Sequence, residues 1–571
     1  MSAQRLGVFV CHCGGNISDY VDVQKVRAAA SELPGCEVAE TFLFACSDAA
    51  QQEMMEKIRS EKLDGIVIAS CSPKLHLETF RAMAKRAGLN PHMYTQVNIR
   101  EQCSWAHRHD MPKASEKATR LVRAGVARAG LSRPLDNISV ETVPAVLVIG
   151  GGAAGMRSAL ALSDLGLSVH LVERAAELGG RIRALGKLFP SGRPGAELVA
   201  SLRDRLAGRD NIAVYTNAEL IEKSGSAGRF EVKVRSGEDT FSLKVGAIVA
   251  ATGSDPYAPQ PGEFGRGLSA VVTLPEFNEM LRTSRDRLRV NGRDVRSIVY
   301  VYCVGSRQSE GNAYCSRFCC TAGVHAAIQA HEFDPTIDQY HLYRDMRTYG
   351  KNELLYEEAR HKGSLFVRYG ESEPPAVEKD GEGLVVRVRN ELSGGEDIEI
   401  PADLVVLVTG MVASANERLQ SILKLPTGAG GFFNEIHLKL RPVETVVDGV
   451  FIAGTAQSPK NLAESVASSL AAAANCSAML LKGRLERAPL VAKVNTETCQ
   501  WCEECTKVCP YDGAISKVEH EGKQVAEVRA ELCKGCGACA AVCPTMAIDI
   551  DGYTNAQVTA MIDALAAEVV A

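Results

Sequence analysis

From the N-terminus to about position 135, short apolar runs alternate with stretches whose apolar residues recur every three or four positions. The runs are RLGVFV, CEVAETFLFAC, DGIVIAS and MYTQVNI. Between and after them come VDVQKVRAAASEL, DAAQQEMMEKIRSEK, LHLETFRAMAKRAG and a final basic stretch. A short unbroken apolar run reads as a buried strand, and a 3.6-residue period as a helix packed on it. The alternation therefore predicts a small parallel sheet with crossover helices. The same signature returns at Ala145, where AVLVIGGGAAGMRSALALSDLGLSVHLVER reads strand, glycine turn, helix, strand. Two more buried strands, RSIVYVYCVGS from Arg296 and DGVFIAG from Asp448, follow, the second ahead of a long alanine-rich helical stretch.

At 571 residues the chain has room for about three to five domains. A formal net charge of −5 with 5% aromatic residues offers no surface for a polyanion, so nucleic acid is not expected as a partner. No window reaches the ~18 unbroken apolar residues of a membrane span, and the first residues lack a small-residue cleavage site. The expectation is a cytoplasmic protein without a membrane span. In such a chain nineteen cysteines point to metal rather than disulfides.

The C-terminal cysteines are the most specific. CQWCEECTKVC before Pro510 and CKGCGACAAVC before Pro544 repeat CxxCxxCxxxCP, the two-cluster bacterial ferredoxin signature. Each CxxCxxC turn supplies three thiolates, and the fourth cysteine of each run crosses to the other cluster. One [4Fe-4S] cluster then takes Cys499, Cys502, Cys505 and Cys543, the other Cys533, Cys536, Cys539 and Cys509. The competing zinc-knuckle reading has no use for a twofold-repeated array of eight cysteines.

Gly150, Gly152 and Gly155 form GxGxxG between a strand and a helix, and Glu173, followed by Arg174, ends the next strand. Glycines there let backbone amides and a helix N-terminus approach a pyrophosphate, while the acid holds a ribose hydroxyl. Three further segments select FAD over NAD: LGGR with Gly179, Gly180 and Arg181; GAIVAATGSDP with Ala251, Thr252 and Gly253; and DGVFIAGTAQ with Asp448, Gly454 and Thr455. Residues 145–485 thus resemble the FAD domain of thioredoxin-reductase-like flavoproteins, and the resemblance implies a second nucleotide fold inserted between the FAD halves. The expected fold is multidomain α/β: an N-terminal iron–sulfur domain over 1–135, FAD-domain parts over 145–295 and 411–485, the insert over 296–410, and an α+β ferredoxin domain with a C-terminal helix over 490–571.

Where a NAD(P)H-dependent relative would carry a second glycine loop, the insert has CVGSRQSEGNAYCSRFCC. Cys303, Cys315, Cys319 and Cys320 there predict a [4Fe-4S] site in place of nicotinamide binding. A reducible Cys319–Cys320 pair and inert buried thiols are the alternatives.

In the N-terminal domain the cysteines fall at the carboxyl ends of the predicted strands, where such sheets gather ligands. Cys11 and Cys13, Cys46, Cys71 and Cys103 follow strands one to four; Cys36 begins its strand and is left out. Four of these five predict another [4Fe-4S] cluster, with Cys11 or Cys13 as the one to spare. His12, His107 and His109 lie near this edge and are expected to be hydrogen-bonded rather than ligating; Cys476, in the alanine-rich helix, is read as packing.

CHCGGN, ASCSPKLH, NIREQCSW, the FAD fingerprint, YCSRFCC and the terminal double ferredoxin together resemble the A-type component of heterodisulfide reductase over essentially the whole chain. The resemblance implies a homodimeric iron–sulfur flavoprotein that exchanges electrons with B- and C-type subunits. Its input would come from a hydrogenase, a formate dehydrogenase or an NADH-oxidising module. Two departures stand out. GRFEVKVRSGEDTFSLKVGAIVAATG runs on without the additional ferredoxin domain of many members, and His325 stands where several bifurcating members place a lysine. A cation there could tune the flavin, so bifurcation does not carry over. The segment YRDMRTYGK, 343–351, also resembles the family but receives no role. A stand-alone FAD disulfide reductase using Cys319 and Cys320, and a non-catalytic scaffold, are the competing functions.

Overall fold

The computed structural model describes residues 4–189 and 191–567, and the chain divides into two compact units. One unit combines the residues up to Val140 with those from Glu486 onward; the other runs from Glu141 to Leu485.

In the first unit, β1 (Leu6–Cys11), β2 (Cys36–Phe42), β3 (Gly65–Ser70) and β4 (Tyr94–Asn98) form a parallel sheet in the order β2-β1-β3-β4. Every residue of β1 and β3 is buried, as strands covered on both faces must be. The helices α1 (Val23–Ser31), α2 (Asp48–Ser60), α3 (Pro73–Ala87) and α4 (Met111–Ala129) begin at Asp22, Ser47, Ser72 and Asp110, whose side chains accept first-turn N–H groups. The strand order changes direction between β1 and β3, so the loops after these two strands open the crevice in which an α/β sheet binds ligands. Cys11 and Cys71 sit there.

The C-terminal part of this unit pairs Ala492–Val494 with Ile548–Ile550, adds the hairpin Ile515–His520 and Lys523–Val528, and packs the short helices Glu504–Val508 and Ala538–Ala541 together. The helix Asn555–Ala566 opens with a Thr554–Gln557 capping box. Its sequence, NAQVTAMIDALAAEVVA, suggests packing on its own ferredoxin module, with a partner-binding amphipathic helix as the alternative, and its last four residues lie outside the described part. Instead it lies against α4. The anchor is polar: buried Gln557 donates to Ser132 Oγ at 3.2 Å, while Arg128 donates to the Gly552 carbonyl at 2.8 Å and stacks 3.9 Å over Tyr553. Apolar periodicity carries no trace of such a contact.

The second unit builds one plan twice. One five-stranded parallel sheet runs Ile212–Tyr215, Ser168–Val172, Ala145–Ile149, Ala247–Ala250, Val450–Ile452. The other runs Val271–Thr273, Leu404–Thr409, Ser297–Val304, Asp338–Tyr343, Leu365–Arg368. Each is accompanied by a three-stranded antiparallel sheet, from Ala218 to Val245 and from Ala376 to Ala402. Because Val450–Ile452 returns beside Ala247–Ala250, the second sheet is an insertion into the first fold. Its edge strand pairs Val271 with Val405, upstream of position 296 where the sequence pattern begins the insert. A three-residue strand has too little pattern to be read alone. Among the described residues, no helix is long and apolar enough to cross a membrane.

Candidate functional site

The three glycines after Ala145–Ile149 have separate tasks. Gly150 has a φ of +106°, and a Cβ there would lie 2.4 Å from the Ala251 carbonyl oxygen. A Cβ on Gly155 would lie 1.7 Å from the Gly150 carbonyl oxygen, so only glycine lets the helix Ala153–Asp164 cross its strand this closely. At Gly152 no atom lies within 4 Å of an added Cβ, which leaves an open cradle at a helix N-terminus, the form a pyrophosphate fills. Gly180, at φ +53°, borders this cradle, its Cβ position 3.1 Å from Gly152 Cα. Arg181 of the same loop pairs with Asp255, and Arg174 is exposed near it.

Glu173 accepts from the Gly151 N–H at 2.6 Å and the Ala175 N–H at 2.8 Å, which fixes its carboxylate at the rim. Behind the cradle, Ala251 is buried and the neighbouring Thr252 Oγ1 is buried without a partner. Gly253 approaches Thr455, and Gly454, at φ +67°, would put a Cβ 2.5 Å from that of Ala154. The four FAD segments thus meet on one edge. An orphan hydroxyl beside an open glycine cradle is what a bound dinucleotide completes, so these residues fit FAD.

From this edge the chain enters the helix Leu462–Leu480 through an Asn461–Glu464 capping box. Just before it, Lys460 Nζ bonds Gln457 Oε1 at 3.0 Å and Ser458 Oγ at 2.8 Å, and burial pulls its ammonium down to about 8. Lys460 lies inside the last FAD segment, DGVFIAGTAQSPKNLAESVASSLAAAA, without a role of its own read from sequence. Cys476 lies fully buried within this helix.

Cys303, Cys315, Cys319 and Cys320 converge in the insert, each acting electrostatically on others of the set. Cys303 leaves its strand at φ +63° and Arg317 turns at φ +62°, its N–H 3.3 Å from Cys315 Sγ. Burial pushes the Cys303 thiol up to about 11. Cys319 and Cys320 open the helix Cys319–Phe333. Cys320 is the more acidic of the two: the Cys319 thiol donates to it, and Arg347 offers it a backbone N–H and a nearby charge. The same bond, with burial, raises Cys319. The pair is only 2% and 4% exposed, which leaves a disulfide substrate little access.

The loop is tied to the flavin edge. Arg317 Nη2 pairs with Glu464 Oε1 at 2.5 Å, the Tyr349 hydroxyl donates to the same oxygen at 3.0 Å, and the Arg317 guanidinium lies 5.7 Å from the Tyr349 ring centre. His325, two turns along the helix, packs edge-on against Phe189, and burial lowers its pKa.

In the first unit, Cys11, Cys13, Cys46 and Cys71 come together. The N–H groups of Cys13 and Ala45 point at Cys11 Sγ from 3.3 and 3.4 Å, and Cys13 and Gly14 both take positive φ to make the turn. Burial lifts Cys71 to about 12 and also raises Cys11 and Cys46. Cys103 stands apart from these four. After β4 the backbone makes a five-residue π-turn, Arg100–Ser104, that turns Cys103 into the core with only Lys117 acting on it from outside. The same turn sends Arg100 to the cysteines, with Nη1 3.5 Å from Cys13 Sγ. Cys36 is occupied with the Val38 carbonyl, and His107 lies 3.4 Å from Lys117 Nζ.

In the ferredoxin part, Cys509, Cys533, Cys536 and Cys539 line one pocket with Tyr511 and Ile515. Cys499 and Cys502 act on Cys505. The internal repeat extends to the backbone, since Trp501 and Glu503 take the positive φ that Gly535 and Gly537 take in the second copy. All nineteen cysteines are free thiols. Among the described residues, no three His, Cys, Asp or Glu side chains close on one point as ligands of a single ion would; a [4Fe-4S] cluster takes one thiolate per iron.

Residues 144–302 match the pyridine nucleotide-disulphide oxidoreductase family, and residues 492–550 match the 4Fe-4S dicluster domain. The first of two A-type iron-sulfur subunits of the CoB–CoM heterodisulfide reductase of Methanopyrus kandleri is 36% identical over 99% of this chain and 98% of its own. The A-type component of the H2/formate:CoB-CoM heterodisulfide,ferredoxin reductase of Methanococcus maripaludis is 34% identical over 99% of both. Among solved structures, T. acidophilum thioredoxin reductase is 16% identical over 58% of this chain and 97% of its own, with a TM-score of 0.42.

Proposed function

This chain belongs to the A-type family of heterodisulfide reductase subunits, and from that premise we propose that it relays electrons between a donor module and a disulfide-reducing partner. It is an iron–sulfur flavoprotein oxidoreductase. FAD, when bound, accepts and releases electrons singly or in pairs, and [4Fe-4S] clusters carry them singly. The Gly150–Gly155 turn, with Thr252, Gly454 and Thr455, would seat the dinucleotide, and Glu173 would hold its ribose. Cys303, Cys315, Cys319 and Cys320 would hold the adjoining cluster.

The observation that carries this reading is the Arg317–Glu464–Tyr349 tie. It fixes the cysteine loop to the helix that closes the flavin edge, so the two redox sites hold their separation. Two further clusters in the ferredoxin module, and one on Cys11, Cys13, Cys46 and Cys71, would connect to B- and C-type subunits and to an input module. The Methanococcus relative's name, with its H2 and formate, supports hydrogenase or formate dehydrogenase input. A stand-alone disulfide reductase fits less well, because Cys319 and Cys320 are buried. Anaerobic purification with iron and flavin analysis tests the reading: four cubanes and one FAD give about 16 iron per chain. A value near 8 would leave only the ferredoxin pair and sink the relay through Cys303–Cys320.

A further inference from the structure

The segment YRDMRTYGK gains a place in the structure. Asp345 is its hub: its carboxylate accepts from Arg307 Nη2 at 2.7 Å and lies 3.5 Å from Arg368 and 3.9 Å from Arg347. Its carbonyl lies 3.8 Å from Cys320 Sγ. Arg344 donates to the Arg307 carbonyl at 2.6 Å and pairs with Glu371. Arg307 is thus held from two sides, at a φ of +60°, with its side chain 18% exposed. One arm of its guanidinium is spent on Asp345. The other, Nη1, is buried without a partner, and the guanidinium lies beside the Cys303 thiol.

A buried donor without an acceptor is costly, and more so on a charged group. An anionic group among the cysteines would supply the missing acceptor. A similar device recurs in the other unit. Arg100 is held by Glu101 at 2.8 Å, reaches Cys13 Sγ, and keeps a buried Nε without a partner. The ferredoxin cysteines differ: besides burial, neighbouring cysteines, a threonine and backbone amides act on Cys505, Cys539 and Cys543.

We infer that Arg307 donates a charge-assisted hydrogen bond to the [4Fe-4S] cluster at Cys303, Cys315, Cys319 and Cys320 and sets its reduction potential, with Asp345 as the positioning residue. The inference rests on the cluster reading above. Taking up one electron adds one negative charge to the cluster without a proton, and a fixed guanidinium favours the more negative form. The charge around a cluster and the hydrogen bonds to its sulfurs are the terms through which protein tunes it.

The test is an EPR-monitored redox titration of the anaerobically purified full chain, with Cys315→Ala identifying the component that belongs to this cluster. Arg307→Gln should move that component to lower potential by at least about 60 mV, a tenfold shift for one electron, with iron content unchanged. Arg307→Lys should restore most of the shift, and Asp345→Glu, which keeps the charge but displaces the guanidinium, should give part of it. An Arg307→Gln chain that keeps its iron and titrates as wild type overturns the inference. If that variant fails to load the cluster, Asp345→Glu decides, and an unmoved potential there overturns it too. A wild-type chain with about 8 iron, from which Cys315→Ala removes no component, overturns the cluster reading instead.

Discussion

Gly152→Ala is expected to give a chain of wild-type stability whose flavin affinity falls by about fivefold to a hundredfold or more. The backbone at Gly152 is extended, at φ −76° and ψ −173°, which alanine adopts without strain. No protein atom lies within 4 Å of the new methyl group, so the folded chain has nothing to move. The methyl instead enters the cradle in front of the helix, where overpacking costs about 1–3 kcal/mol and each ~1.4 kcal/mol is a factor of ten in Kd. Gly155→Ala is the contrast. Its Cβ would lie 1.7 Å from a backbone carbonyl oxygen, so helix and strand must separate, and both stability and flavin are lost. Thermal melts of the deflavinated chains and fluorescence titration with FAD separate the two effects. A Gly152→Ala chain that binds FAD as wild type would refute the cradle; one that melts as early as Gly155→Ala would refute the open space.

That contrast also marks where sequence patterning stops. GxGxxG places three glycines at a turn, but which is structural and which borders ligand depends on distances to Ala251 and Gly150, both set by the sheet. The parallel sheets of both units were legible because their central strands are short continuous apolar runs between amphipathic helices. The edge strand Val271–Thr273 was not, because three residues define no period. The double CxxCxxCxxxCP declares itself by local spacing, whereas the N-terminal cysteines lie far apart in sequence, and only the turn geometry after each strand shows which of them come together. Polar contacts left the weakest trace: Arg100 and Arg307 lie inside NIREQCSW and CVGSRQSEG, yet nothing in those motifs says that a carboxylate holds each guanidinium against a thiol. The tie from Arg317 to Glu464 spans 147 residues and has no local signature at all.

Cys46→Ala is expected to purify with about 4 iron fewer than wild type, one cubane's worth, and Cys103→Ala with its iron intact. Both cysteines follow strands of the same sheet, and position along the chain does not distinguish them. The π-turn Arg100–Ser104 does, because it rotates Cys103 into the apolar core, fully buried, and presents Arg100 to the cysteines in its place. Cys46 follows β2 by a turn that leaves its thiol partly exposed and within the field of Cys13 and Arg100. Losing Cys103 removes packing and should cost stability of about 1 kcal/mol, the usual size for a single substitution, read as an earlier melt. Cys36→Ala, at the amino end of β2 and away from the crevice, should leave iron at the wild-type value. If Cys103→Ala loses the four iron as Cys46→Ala does, the ligand set is the one that strand order alone suggests, with Cys11 or Cys13 spare, and the turn after β4 must open to release Cys103 when the cluster is built.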